Sequence, residues 1–230
     1  MKIIGIIPAR MAASRFPGKP LYNIIDRPML SHVWGRANLY NKWDFLSVAT
    51  CDKEIYEYII SIGGNVIMTA DTHTRATTRT AEALDKIEEK IRQKVDVVIM
   101  VQGDEPLMSH TVMNECASLL NDDSIDIGTL GSSFLNKEDW LNPNMVKVLV
   151  DHSECALYFS RSSIPYPKEN EAGIIEGNIV LHHHGIYAYR CKSLRMLYRA
   201  EDSQIQIIEG LEQLKALYHG LKIKVGVASK

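Results

Sequence analysis

Cysteine is scarce and scattered. The 230 residues hold four (Cys51, Cys116, Cys155, Cys191), with no CxxC pair and no Cys/His couple. That excludes a disulfide-framed secreted fold and a Cys/His zinc site, and fits the reduced thiols of a cytoplasmic protein. No apolar run is long enough to cross a bilayer, and the opening KIIGII is too short for the core of a secretory leader. A soluble cytoplasmic protein without a membrane partner is expected. An excess of either charge is also missing: 26 Lys and Arg stand against 28 Asp and Glu, a net of −2. Nucleic acid is therefore not the expected partner, and any local cluster of cations needs a small anionic ligand instead. Repeats and low-complexity tracts are absent.

What is present is alternation. KIIGII, FLSVAT, NVIMT and DVVIMVQ are short runs rich in Val and Ile, continuous enough for strands buried on both faces. Between them Met29, Leu30, Val33, Trp34 and Ala37 recur at helical spacing, and DKEIYEYIISIGG ends in a glycine stop. TAEALDKIEEKIRQ places Leu84, Ile87 and Ile91 on one face. This order predicts a doubly wound α/β fold with ligand loops at the strand C-termini. After DIGTL the character changes. MVKVLVD, ALYFSRSSIPY and HHHGIYAYR read as strands without a full helix between each pair, hence a mixed-sheet extension serving as a lobe or dimer surface. A closing helix, IIEGLEQLKALYHG, and a last strand, KIKVGVA, follow; KENEAGIIEGN reads as a mobile loop. The expected division is the doubly wound part over 1–130, the lobe or dimer surface over 131–205, and the closing helix and strand over 206–230.

Two stretches carry chemistry. PARMAASRFPGKP, residues 8–20, directly follows the first strand. It is not a Walker A loop, because Pro20 stands where the Ser/Thr should follow Gly18-Lys19 and Ala13 where the first glycine should be. A GxGxxG turn is absent too. What remains is Arg10, Arg15 and Lys19 on one loop, with Ala12, Ala13 and Ser14 small enough to let the backbone approach a polyphosphate. A solvated basic loop is the plainer alternative; it loses ground because such a loop has no need of this position. The second stretch is MVQGDEP, residues 100–106, which delivers Asp104 to the same sheet edge. Asp104 either holds a magnesium ion between phosphate oxygens or caps the next segment through an Asx-type turn.

With these stretches in view, the chain resembles the 3-deoxy-manno-octulosonate cytidylyltransferase family of sugar nucleotidyltransferases. The resemblance runs nearly end to end, through IIPARMAASRFPGKPL, RPMLSHVWGRA, VQGDEP, NPNMVKVLV, ALYFSRSSIPY, HHHGIYAYR and EGLEQLKALYHGLKIKV. It implies a Rossmann-like fold of the nucleotide-diphospho-sugar transferase type and a homodimer. It implies CMP transfer from CTP to a 3-deoxy-2-ulosonic acid with release of pyrophosphate, for lipopolysaccharide or capsule synthesis. It further implies a triphosphate cradle of Pro8, Ala9, Arg10, Ser14, Arg15 and Lys19, joined by Thr77 and Arg79. Arg10, Lys19 and Asp104 become the catalytic group, with Mg2+ on Asp104. Gln102, Arg161, His183, Tyr187, Glu212 and Gln213 become the sugar-acid contacts. Those types suit the substrate: a carboxylate wants Arg or His, and a string of hydroxyls wants Glu, Gln and Tyr. Taken singly, Glu212 and Gln213 also read as a solvated helix face and His183 as a packed strand residue.

The chain departs from the family pattern in three places. Arg75-Ala76-Thr77-Thr78-Arg79 replaces the usual Ser-Gly-Thr-Asp/Glu-Arg, and Cys51 replaces an aspartate after VAT. The family pattern also runs on to a VDT segment carrying a second metal-binding aspartate, beyond the point where this sequence ends. Two alternatives stand beside the leading reading: a cytidylyltransferase for another ulosonic acid (8-amino-substituted or a nonulosonate), and a non-catalytic nucleotide-binding relative.

Overall fold

The structure, a computed structural model, describes residues 1–12, 16–168 and 179–229. In chain order its first part runs β1 (Ile3–Pro8), the small hairpin β2 (Asn23–Ile24) and β3 (Arg27–Pro28), and α1 (Met29–Asn38). Then come β4 (Phe45–Thr50), α2 (Lys53–Ser61), β5 (Val66–Met68), α3 (Ala76–Ile91), β6 (Val97–Met100) and α4 (His110–Ser118). The later part runs β7 (Ile127–Ser132), α5 (Lys137–Leu141), β8 (Lys147–Val150), β9 (Ala156–Ser160) and β10 (Val180–Arg190). It ends with α6 (Cys191–Arg199), α7 (Gln204–Glu209), α8 (Gln213–Tyr218) and β11 (Ile223–Val227). Two compact units result: Met1–Asn114 with Ala188–Tyr198, and Glu115–Tyr187 with Arg199–Lys230.

In the first unit every residue of β1 is buried, which requires cover on both faces. β1 pairs in parallel with β4 and with β6, and β4 pairs in parallel with β5. The chain thus steps from β1 through β4 to β5, then returns to the far side of β1 as β6. That reversal between β1 and β6 is the place where doubly wound sheets bind ligands, outside the strand C-termini. The expected faces of the helices are the buried ones: Met29, Leu30, Val33, Trp34 and Ala37 on α1, Leu84 and Ile87 on α3. α3 begins at Ala76, ahead of its apolar stripe, because Arg79 and Thr80 are buried too.

In the second unit β7 lies between β11, parallel to it, and β10. β10 pairs antiparallel with β8, and β8 with β9. Between β7 and β8 stands only the single turn of α5, and β8 and β9 follow one another with no helix between them among the described residues. Two expectations need correction. The strand expected through ALYFSRSSIPY stops at Ser160. The closing helix is two helices, because Gly210 takes the left-handed conformation (φ 64°) and ends α7. A Ser203–Gln206 capping box starts α7. Residues 169–178, nearly all of the expected mobile loop, lie outside the described residues.

Candidate active-site residues

In the first unit, the loop after β1 is closed by main-chain bonds. Ala9 N donates to Ala49 O (2.9 Å), and Gly18 N donates to Met11 O (2.9 Å). Met11 N donates to the Asp52 carboxylate at 2.8 Å, which ties the loop to the residue that precedes α2. Gly18 sits at φ 76°, a conformation that glycine adopts without steric cost, and it turns the chain into Lys19. The turn after β6 crosses close to the end of β1: a Cβ on residue 103 would meet Pro8 O at 2.6 Å, so only glycine fits. This close crossing brings the two motifs together. Lys19 Nζ donates to Asp104 Oδ2 at 2.8 Å, with both side chains open to solvent (36% and 53% exposed). Asp104 therefore pairs across to Lys19, and among the described residues no amide of the following segment caps on it. Pro8 and Ala9 are buried beneath this corner, and Arg10 and Gln102 are half-buried beside it in sequence. Ser14 and Arg15 lie outside the described residues.

Two residues of the sequence-based phosphate group belong to α3. Thr77 is half-buried in the first turn. Arg79 is only 2% exposed, and its guanidinium donates to the Thr69 hydroxyl, Ala70 O (3.3 Å) and His73 O (3.2 Å). Any contribution of Arg79 to nucleotide binding runs through the 69–73 turn that it braces. The spacing contained a warning: Arg79, Ala83 and Ile87 follow one another at i, i+4 and i+8, and all three are buried.

Of the sugar-acid group, Gln102 belongs to the first unit, and Arg161, His183, Tyr187, Glu212 and Gln213 lie in the second. Arg161 leaves the end of β9 with its main chain and side chain both fixed. Its amide donates to Glu209 Oε2 (2.9 Å), its Nε to Glu209 O (3.0 Å) and its NH1 to Pro143 O (3.1 Å). His183 packs edge-on against Phe159, with ring centroids 5.0 Å apart, and lies 5.3 Å from the Tyr187 ring. Burial, reinforced by His184 and His182, pushes its pKa down to about 3, so it is neutral. Its tautomer follows from Thr129. That hydroxyl has one proton, which goes to Ile186 O at 2.7 Å; His183 Nε2, 3.0 Å from the same oxygen, must therefore be the donor. Nδ1 is left as an acceptor, suited to a substrate hydroxyl and unsuited to a carboxylate. Glu212 and Gln213 open α8 and are half-buried, so they are not simply a solvated face.

Sequence reasoning missed Thr129, Lys147 and Glu209. They carry no signal beyond an unremarkable polar residue in a strand or helix. Among the described residues no group of three or more His, Cys, Asp or Glu forms an all-protein cage. Asp104, exposed beside a cation that suits phosphate, fits the usual arrangement of one or two carboxylates plus substrate phosphates.

A cytidylyltransferase family model matches residues 4–223. The 3-deoxy-manno-octulosonate cytidylyltransferase of Thermodesulfovibrio yellowstonii is 41% identical over 230 residues, covering 99% of this chain and 90% of that protein. Its namesake from Fusobacterium nucleatum is also 41% identical, with 98% and 88% covered. Among solved structures, a CMP:2-keto-3-deoxy-manno-octonic acid synthetase complexed with CTP superposes with a TM-score of 0.89 at 33% identity, over 100% of this chain and 91% of the other. Matches of this extent in sequence and fold agree with one another, and the chain belongs to the 3-deoxy-manno-octulosonate cytidylyltransferase family.

Proposed function

We propose that the protein transfers CMP from CTP to 3-deoxy-manno-octulosonate, releasing pyrophosphate, and so supplies an activated sugar acid for lipopolysaccharide synthesis. The observation that carries this reading is the Lys19–Asp104 corner at the β1/β6 reversal, in a chain similar over its whole length to a synthetase solved with CTP. The anomeric hydroxyl attacks the α-phosphorus in line; the new O–P bond forms as the bond to the pyrophosphate oxygen breaks. No protein nucleophile is needed. The work asked of the chain is positioning and neutralisation of charge on the departing pyrophosphate. Lys19 and Arg10 supply fixed positive charge there, and the loop closure through Met11, Gly18 and Asp52 holds that charge in place. Magnesium, when bound at Asp104, would add further neutralisation of the triphosphate.

None of the four cysteines is in a disulfide, which supports a reducing cytoplasm as the place of action. Large apolar side chains exposed in the second unit, Leu157, Ile207, Ile208 and Tyr218, support a homodimer that covers them. The test is a pyrophosphate-release assay with a panel of acids and nucleotides, with and without magnesium. Turnover should require CTP, magnesium and a 3-deoxy-2-ulosonic acid, with UTP and ATP poor substitutes. Preference for an 8-amino acid or a nonulosonate would move the substrate within the class. Binding of CTP without turnover on any acid would favour the non-catalytic alternative.

A further inference from the structure

Arg161 is held more closely than a surface arginine needs to be, by two charged residues of which one, Lys147, is fully buried. Glu209 clamps it from the end of α7. One carboxylate oxygen accepts from the Arg161 amide (2.9 Å), the other from the Ser160 hydroxyl (2.6 Å), and the Glu209 main-chain oxygen takes the guanidinium Nε (3.0 Å). From the other side Lys147 caps the Arg161 carbonyl (3.0 Å) and the Asn142 carbonyl (2.7 Å). Lys147 has no exposed surface at all. An ammonium buried against two neutral carbonyls is costly, and burial followed by the charge of Arg161 pulls its pKa down, with Glu209 opposing. A fold wanting only a packed strand would place an aliphatic residue there.

The consequence falls on the guanidinium. With Nε and one NH1 hydrogen used by main-chain oxygens, the remaining NH1 hydrogen and both hydrogens of NH2 are free among the described residues. One end of the planar fork is thus presented, in one orientation. Charge leads to the same place: two cations, Lys147 and Arg161, against one carboxylate, Glu209, leave one positive charge over. That excess suits a ligand with a single carboxylate.

We infer that Glu209 and Lys147 are positioning residues that fix the free end of the Arg161 guanidinium for the carboxylate of the sugar acid, and thereby set affinity for that substrate. The inference rests on the proposed function, in which Arg161 contacts the ulosonic acid.

The experiment measures KM for 3-deoxy-manno-octulosonate and for CTP in Glu209→Gln and Lys147→Met, each alone and in an Arg161→Ala background. Each single variant should raise KM for the sugar acid about tenfold or more while leaving KM for CTP within a factor of about three. In the Arg161→Ala background, neither should raise it further, because their effect passes through Arg161. An unchanged sugar KM in the singles, or the same rise with and without Arg161, would overturn the inference. If Lys147→Met does not fold, Glu209→Gln and Ser160→Ala, which keeps both cations, still decide the matter by the same split. Absence of CMP transfer in the unmodified protein would instead strike at the proposed function, so the two failures are distinguishable.

Discussion

Lys19 Nζ lies 2.8 Å from the Asp104 carboxylate, joining the loop after β1 to the turn after β6. The pair is too exposed to be explained by stability, since open ion pairs contribute little. In Lys19→Ala, kcat/KM should fall by the equivalent of about 2–4 kcal/mol, the range seen for preorganised electrostatic groups. Asp104→Asn should abolish the response to added magnesium, and both variants should melt near the temperature of the unmodified protein. Near-normal rates in Lys19→Ala would mark the loop as ordinary solvated surface.

The crossing of Gly103 over Pro8 gives a steric prediction. A methyl at 103 would sit 2.6 Å from a main-chain oxygen that cannot swing aside, so Gly103→Ala must push the strand end and the phosphate loop apart. A loss of about 1–3 kcal/mol is expected, together with weakened CTP binding. Gly35, in the middle of α1, has nothing within 4 Å of the same probe position. Gly35→Ala should therefore stabilise by about 0.5–1 kcal/mol through helix propensity alone. Parallel denaturation curves of the two variants check the contrast; equal effects would refute it.

These two glycines also show how much could be read without coordinates. The strands of the first unit were legible because strands buried on both faces leave unbroken Val/Ile runs, and α1 and α3 because their apolar residues keep helical spacing. The Lys19–Asp104 meeting was legible as chemistry, since both stretches end strands of one parallel sheet. The split of the closing helix was missed because the apolar spacing runs through Gly210 and hides the left-handed residue that ends α7. Arg79 was grouped with the phosphate residues through the family motif, and its place on the buried face of α3 decides the contacts that it makes here. Lys147 and Glu209 could not be seen at all, for charge in a strand or on a helix reads as solvent-facing until main-chain partners are known.

His183 should be silent in the physiological pH range. Burial disfavours its charged form, so its folded pKa, about 3, lies below the ordinary 6.5. KM for the sugar acid should show no inflection near pH 6.5 from this residue, and His183→Asn, which keeps a donor for Thr129, should retain part of the affinity. Stability carries the complementary signature. Below pH 6.5 the unfolded chain takes up a proton that the folded chain refuses, so stability is lost progressively from 6.5 down toward 3, at up to about 1.4 kcal/mol per pH unit. Imidazole titration followed by NMR checks the assignment; a folded-state midpoint near 6.5 for His183 would contradict it.

The turn that Arg79 braces is also held by a carboxylate, and that gives a separate acid response. Burial works against the charge on Glu82, but Lys86, the Ala70 amide and His73 together bring its pKa down to about 2 from 4.5. Lys86 Nζ lies 2.7 Å from Oε1, and Ala70 N donates to Oε2 at 3.0 Å. A carboxyl with a depressed folded pKa stabilises fully above its unfolded value. Its contribution here is therefore present above about pH 4.5 and lost as pH falls through about 2. Glu82→Gln should cost roughly 2–3 kcal/mol at pH 7, after allowance for partial exposure, and the gap to the unmodified protein should narrow as the pH drops below 4.5. Urea denaturation of both proteins from pH 7 to pH 3 makes the comparison. A gap that stays constant across that range would mean that Glu82 acts through its shape and packing, and that its charge does not hold the 69–73 turn against α3.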